Sequence, residues 1–266
     1  MSADLQPSKL GNKEQQVLLV CPSPLILMNP CSWDDVYKTE LENFDETGDE
    51  GEIWYVFSLT DCSCSSICDR FGEESVAKMV DWTVENVPSS RGASILEIGS
   101  GNGTLLFALL EAGYNATTLC GIDYSVDAVK LAENISSTRG GERITFSQRD
   151  FLSEDPPVLP HMNHEKPPPG QWDLLLDKGT YDAIALGQRD DLGRSPAYQY
   201  PQRAARQLKA GGFFLITSCN FTEDELNVNF ATPETGFIYH SRIQHPTFTF
   251  GGKSGSVCSS VAFKKM

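Results

Sequence analysis

The groups in this sequence that could do chemistry are four acidic side chains and a run of alternating glycines. Glu97, Gly99, Gly101 and Gly103 form the pattern acidic-x-Gly-x-Gly-x-Gly, with Asn102 ahead of the last glycine. Glycine has no Cβ and takes positive φ without strain, so such a turn lets backbone N–H groups approach a ligand closely. A helix opening at Thr104 would aim its N-terminus at the same point and favour negative or polar ligand groups there. About twenty residues on, Gly121-Ile122-Asp123-Tyr124 places a carboxylate where a second strand ends, the position that accepts ribose hydroxyls in nucleotide-binding α/β units. The dinucleotide fingerprint G-x-G-x-x-G counted from Gly99 needs glycine at position 104, and Thr104 stands there. A different nucleotide-containing ligand, or a turn that holds nothing, is left by this pattern. Asp150-Phe151 and Asp177, with Tyr181 four residues after it, supply polar groups at two further strand ends. Each has a plain structural alternative: Asp150 as a turn or cap residue, Asp177 and Tyr181 as the shapers of a turn.

Those groups meet only if the chain alternates strand and helix. Strands are expected at Ser94–Ile98, Thr118–Ile122, Ile144–Ser147, Trp172–Leu176 and Phe213–Ser218, with helices over Thr104 to about Ala112, Val126–Ser136, Tyr198–Lys209 (ended by Gly211-Gly212) and Glu223–Phe230. This order implies α/β architecture, a parallel sheet with right-handed crossovers. In such a sheet ligands lie beyond the strand carboxyl ends, where all four acidic residues fall. Phe237–His245 and Val257–Lys264 alternate enough to pair around the glycine-rich turn at 251–255 as a closing hairpin. Upstream, Trp33, Tyr37, Leu41 and Phe44 share one face of a predicted helix, and Ser75–Val87 forms another with Val76, Met79, Val80 and Val84 inward. Residues 1–32 are expected to be disordered or irregular, 33–266 to be one domain, and Pro156–Gly170 to be a surface loop.

Composition narrows the function. A chain of 266 residues, 40% hydrophobic, can bury a sizeable core. Its formal net charge of −15 and pI near 4.6 argue against gripping nucleic-acid phosphates and suit a basic protein partner, or simple solubility. Eight cysteines form no recognisable disulfide framework, and Cys62, Cys64 and Cys68 lack the second half of a metal site, so no metal is expected. No run approaches the ~20 apolar residues of a membrane span. The sequons at Asn102 and Asn134 fall inside the nucleotide-binding unit, where glycans would block folding, so the expected location is cytoplasmic. None of the histidines 161, 164, 240 and 245 shows a partner for nucleophilic catalysis. Nothing in the pattern sets an oligomeric state.

The stretch Glu97–Gly103 resembles motif I of the class I S-adenosylmethionine (SAM)-dependent methyltransferases. The resemblance implies a Rossmann-like, seven-stranded sheet closed by an antiparallel pair, with the glycine loop against the amino-acid end of SAM. It also implies Asp123, with Tyr124 beside it, at the ribose, Asp150 at the adenine amine and Phe151 against the ring. Trp54 is placed near the cofactor or else over the core. Strand four ends in Leu176-Asp177-Lys178-Gly179-Thr180-Tyr181-Asp182, not in the Asn/Asp-Pro-Pro-aromatic motif of base-amine methyltransferases. That heptad, with Trp33–Tyr37, Gly48–Trp54 and Phe71–Ser75, resembles the eukaryotic methyltransferases that modify a lysine of translation elongation factor 1-alpha. The likeness covers about residues 33–54 and 71–264. It implies a basic protein substrate and no nucleic acid; a small-molecule methyltransferase or a non-catalytic SAM-binding protein are the alternatives.

Lysine methylation then requires in-line displacement on a preactivated methyl, with the enzyme positioning reactants and excluding water. A free lysine amine, pKa about 10.4, is neutral about once in a few thousand molecules at pH 7, so the site must strip its proton. Asp177 and Tyr181 are the expected contacts for the incoming amine. Val17–Ser32 and Tyr55–Arg70 depart from the family pattern in composition and position. We read both as translated introns, the other reading being genuine surface loops.

Overall fold

The computed structural model describes residues 30–51, 65–159, 170–250 and 253–266. The expectations for Trp54, for the irregular N-terminal segment up to residue 29 and for most of the 55–70 insertion lie outside them. Two helices come first among the described residues, α1 (Pro30–Thr47) and α2 (Ser65–Asn86). Strand and helix then alternate: β1 (Ile95–Ile98), α3 (Thr104–Glu111), β2 (Leu119–Asp123), α4 (Val126–Arg139), β3 (Thr145–Gln148), β4 (Trp172–Lys178), α5 (Thr180–Ala185), α6 (Tyr200–Gln207), β5 (Leu208–Ser218) and α7 (Glu223–Phe230). Four strands finish the chain, β6 (Phe237–Ile243), β7 (Thr247–Phe250), β8 (Lys253–Ser256) and β9 (Ser259–Lys265).

Seven of these strands form one sheet in the order β3-β2-β1-β4-β5-β9-β6. β1 to β5 run parallel, and β9 inserts antiparallel between β5 and β6. The central strands are buried on both faces, which is why Ile95-Leu96-Glu97-Ile98 and Leu119 to Asp123 read as near-continuous apolar runs. Ile95, Leu174, Leu176, Leu215 and Ala262 meet α1 to α4 on one face. Leu96, Ile98, Leu175, Phe214 and Phe263 meet α6 and α7 on the other. Each of these buried leucine, isoleucine and phenylalanine side chains contributes roughly 1.5–3 kcal/mol relative to exposure. Chain order reverses between β1 and β4, so their carboxyl ends form the crevice where ligands of open α/β sheets lie.

Three expectations are corrected. Val84 is 46% exposed, and Trp82 and Thr83 turn inward on α2 instead, the stripe that continues from Val76 and Met79 at helical spacing. Gly211-Gly212 do not end a helix: α6 stops at Gln207, and the glycines lie in β5, where the register with β4 slips between Trp172 and Leu174. Gly211 has φ +81°, which lets the strand bulge there. The closing strands pair as expected, β6 with β9, but not around a simple turn: the segment between them carries its own two-stranded ribbon, β7 with β8.

Candidate active site at the strand carboxyl ends

Gly99 and Gly101 hold φ +67° and +53° as the chain leaves β1. A Cβ on Gly99 would sit 2.0 Å from Thr180 Oγ1, and one on Gly101 2.5 Å from the Tyr37 hydroxyl. The loop is pinned to β2 by Gly99 and Ser100 N–H groups donating to the Ile122 carbonyl at 2.8 and 3.0 Å. Gly101 N–H donates to Asp123 Oδ2 at 3.0 Å, and Ser125 N–H to Oδ1 at 3.0 Å. Gly103 lies at the N-terminus of α3, where Asn102 Oδ1 accepts the Thr104 hydroxyl at 2.8 Å and Asn102 Nδ2 donates to the Glu50 carbonyl at 3.1 Å. The sequence-predicted Glu97, Gly99, Gly101, Asn102, Gly103 and Asp123 are thus brought together. Tyr124, next to Asp123, is 38% exposed.

Glu97 is 2% exposed and its Oε2 has no hydrogen-bond partner. Ser100 Oγ and Ser125 Oγ, at the ends of β1 and β2, are likewise buried without partners. Unsatisfied buried acceptors and donors are rare in folded proteins, and three gathered at one crevice suit a polar ligand. Burial pushes the Glu97 carboxyl up to about 8, against the opposing pull of Lys178. Burial also pushes Asp123 up to about 6, resisted by the Ser125 and Gly101 N–H groups. Tyr37 on α1 covers this crevice; burial and then Asp123 and Glu97 hold its hydroxyl well above the ordinary phenol range.

Asp177 and Tyr181 lie where β4 passes into α5. Asp177 is 0% exposed. Its oxygens accept Thr180 N–H at 2.8 Å, Tyr181 N–H at 3.0 Å and the Tyr200 hydroxyl. Burial pushes its pKa up to about 7 despite those bonds. The Tyr181 ring packs with Tyr200, Phe221 and Phe230, its hydroxyl receiving Asn229 Nδ2 at 3.2 Å. Asp150 is exposed and ties its own turn, accepting Leu152 N–H at 2.9 Å and the Ser153 hydroxyl at 2.7 Å. Phe151 turns inward, 4% exposed, with its ring 4.9 Å from that of Tyr200.

Sequence reasoning missed Tyr37 and Lys178. Tyr37 was legible as one of the inward positions of its helix, and Lys178 as the residue after Asp177; both lie inside the stretches Trp33–Tyr37 and Leu176–Asp182, which assign neither a role. Two open hollows, one lined by Arg206, Lys209 and Lys265 and one by Arg91 and Asp173, lie at the amino ends of the strands, away from these groups. Among the described residues no group of His, Cys, Asp or Glu could hold a metal ion, and no helix is long and apolar enough to cross a membrane.

A sheet of this order with a glycine loop after β1 and an acidic residue ending β2 defines the Rossmann-like class I methyltransferases. Residues 89–247 match the methyltransferase domain family. The magnesium protoporphyrin IX methyltransferase of Synechocystis, solved with bound SAM, shares the fold: TM-score 0.56, 14% identity, 86% of this chain and 97% of that one. Protein-lysine N-methyltransferase EFM4 of Saccharomyces cerevisiae is 36% identical over 270 residues, covering 99% of this chain and 98% of that protein. EEF1A lysine methyltransferase 2 of Homo sapiens is 36% identical over 235 residues, covering 88% and 84%. The chain belongs to this family of class I protein-lysine N-methyltransferases.

Proposed function

We propose that this chain transfers a methyl group from SAM to a lysine side chain of translation elongation factor 1-alpha. The identity to named lysine methyltransferases along nearly the whole chain carries the reading. The unpartnered Glu97 and Ser100 oxygens support the cofactor, because an ammonium and a carboxylate at the amino-acid end of SAM suit a buried carboxylate and hydroxyl beside a glycine loop. Gly99, Gly101, Asn102 and Gly103 would hold that end, and Asp123 with Tyr124 the ribose. Asp150 and Phe151 fall on the side of the adenine, and Trp54 is kept as a neighbour of the cofactor. When bound, SAM supplies an activated methyl on a sulfonium.

The chain's own work is to orient an amine, exclude water and remove a proton. Tyr37 and α1 shield the crevice from solvent. Asp177 holds the β4–α5 turn rigid from beneath, so we assign it and Tyr181 to positioning the mouth that receives the amine. The acidic surface, net charge −15, suits a basic protein in the cytoplasm. Residues 33–266 form the methyltransferase domain on this reading, with 55–70 as an insertion. The test is transfer of labelled methyl from SAM to purified elongation factor 1-alpha, followed by mass spectrometry. A methylated lysine is expected. Absence of transfer with intact S-adenosylhomocysteine binding overturns the substrate, and absence of both overturns the reading.

A further inference from the structure

A row of polar side chains crosses the carboxyl end of the sheet on the face covered by α2. Register sets Lys178 of β4 beside Thr217 of β5, Thr217 opposite Ser260 of β9, and Ser260 opposite Ile243 of β6, with His245 two residues further. Side chains alternate along a strand, so Glu97, Lys178, Thr217 and Ser260 share the face that carries Leu176, Leu215 and Ala262. Thr217 and Ser260 are 1% and 2% exposed, where apolar residues would ordinarily pack. Their hydroxyl oxygens lie 2.6 Å apart, and Ser260 Oγ lies 2.7 Å from His245 Nε2. His245 is half-buried and reaches solvent. Two hydroxyls could satisfy each other; a titratable ring at the outer end of the series is more than satisfaction requires.

We propose that Thr217, Ser260 and His245 form the path by which the proton of the incoming amine leaves the strand ends for solvent; this rests on the lysine-methylation reading above. A hydroxyl both donates and accepts, so each can take one proton and pass on its own with no net charge. Thr217 receives the proton from the amine side and gives its own to Ser260, which gives its own to His245 Nε2. The neutral ring, carrying hydrogen on Nδ1, becomes an imidazolium and releases the Nδ1 proton to water. The charged groups facing His245 are Lys78 and Glu74 of α2; burial and Lys78 hold it below the usual imidazole value, so it is neutral and ready to accept at neutral pH.

The test compares wild type with Thr217→Val, Ser260→Ala, Ser260→Thr and His245→Gln. Breaking the series should lower kcat about tenfold or more, the low end of general acid–base effects, with KM for both substrates and affinity for S-adenosylhomocysteine unchanged. Ser260→Thr, which keeps the hydroxyl, should restore kcat. Wild-type kcat should fall on the acid side as His245 protonates, a limb that His245→Gln lacks. A second readout needs no turnover: the NMR titration midpoint of His245 should rise in Ser260→Ala, because a hydroxyl donor to the neutral ring is lost. Wild-type kcat in the broken variants at every pH, or an unmoved midpoint, overturns the path. Inactivity of the wild type toward elongation factor 1-alpha instead overturns the lysine reading and removes the path with it.

Discussion

Substitution of Asp177 separates two roles that its position in the sequence left open. The side chain is fully buried and receives two backbone N–H groups and the Tyr200 hydroxyl. Asp177→Ala orphans all three, and a buried group left without its partner costs about 1–3 kcal/mol. Because α5 is six residues long and can fray toward water, the low end applies, about 3 kcal/mol in all. At roughly 2–4 °C per kcal/mol for a domain of this size, the melting temperature should fall by about 6–12 °C. Asp177→Asn keeps an acceptor for the N–H groups, and the Tyr200 hydroxyl can rotate to accept from its amide, so it should cost about 1 kcal/mol. The pH dependence has a definite sign. The folded pKa, about 7, lies above the ordinary 3.8, so the folded state binds more protons and stability falls as pH rises from about 4 to 7. Asn lacks this dependence, so a wild-type advantage of about 1 kcal/mol near pH 7 should be a few kcal/mol larger near pH 4. Thermal unfolding from pH 4 to 8, run beside methyl transfer and S-adenosylhomocysteine binding, measures all of this. Wild-type stability in Asp177→Ala with no turnover would refute the positioning role and return Asp177 to direct contact with the amine.

Glu97→Gln should weaken S-adenosylhomocysteine binding by about tenfold or more, since hydrogen bonds to charged groups are worth about 1.5–3 kcal/mol. With the free carboxyl titrating at about 8, wild-type affinity should strengthen as pH rises through that value and the Gln variant's should not; equal, pH-independent affinities from calorimetry would remove Glu97 from the site. Gly99→Ala must enter φ +67° and displace Thr180, whose hydroxyl donates to the Ile98 carbonyl at 2.7 Å. Left-handed strain of roughly 1–2 kcal/mol and overpacking of about 1–3 kcal/mol should lower the melting temperature by several degrees and abolish SAM binding; unchanged melting would show that the loop is laxer than drawn. The mature transcript should lack the codons for Val17–Ser32 and Tyr55–Arg70, and a message encoding both would establish them as native segments, continuous at Pro30 and Ser65 with α1 and α2.

The fold was legible where periodicity and burial agree. β1, β2 and β4 are apolar runs because a central parallel strand has no wet face, and α7 carries a full capping box, Thr222 with Glu225, that fixes its start. Boundaries failed where tertiary contacts overrule local pattern. Gly211-Gly212 has the composition of a helix stop, yet the neighbouring strand recruits it into a bulge. α5 is too short to show a period, and its start is set by a carboxylate beneath it, not by a cap residue in line. For the site, the glycine pattern announced itself because each glycine answers a steric need visible in the spacing. Tyr37 and Lys178 did not, because their meaning comes from which strand end a distant helix covers.

The two faces of the sheet differ at the strand ends, and the difference follows from strand alternation. Asp177 and Glu97 sit at the ends of adjacent strands, but Ile98 is the residue in register with Asp177, so the two carboxyls point to opposite faces. On the α6–α7 face Asp177 is enclosed by Tyr200 and Tyr181, which ties up its oxygens and leaves a rigid turn. On the α1–α2 face Glu97 keeps an unpartnered oxygen next to Lys178, followed outward by Thr217, Ser260 and His245. A shift of one residue in β4 would exchange Asp177 with its neighbours between the faces, placing its carboxyl beside Glu97, and Lys178 in the aromatic core. The alternation of Leu176, Asp177 and Lys178 is therefore what sends Asp177 to the aromatic face and leaves Lys178 on the face of Glu97.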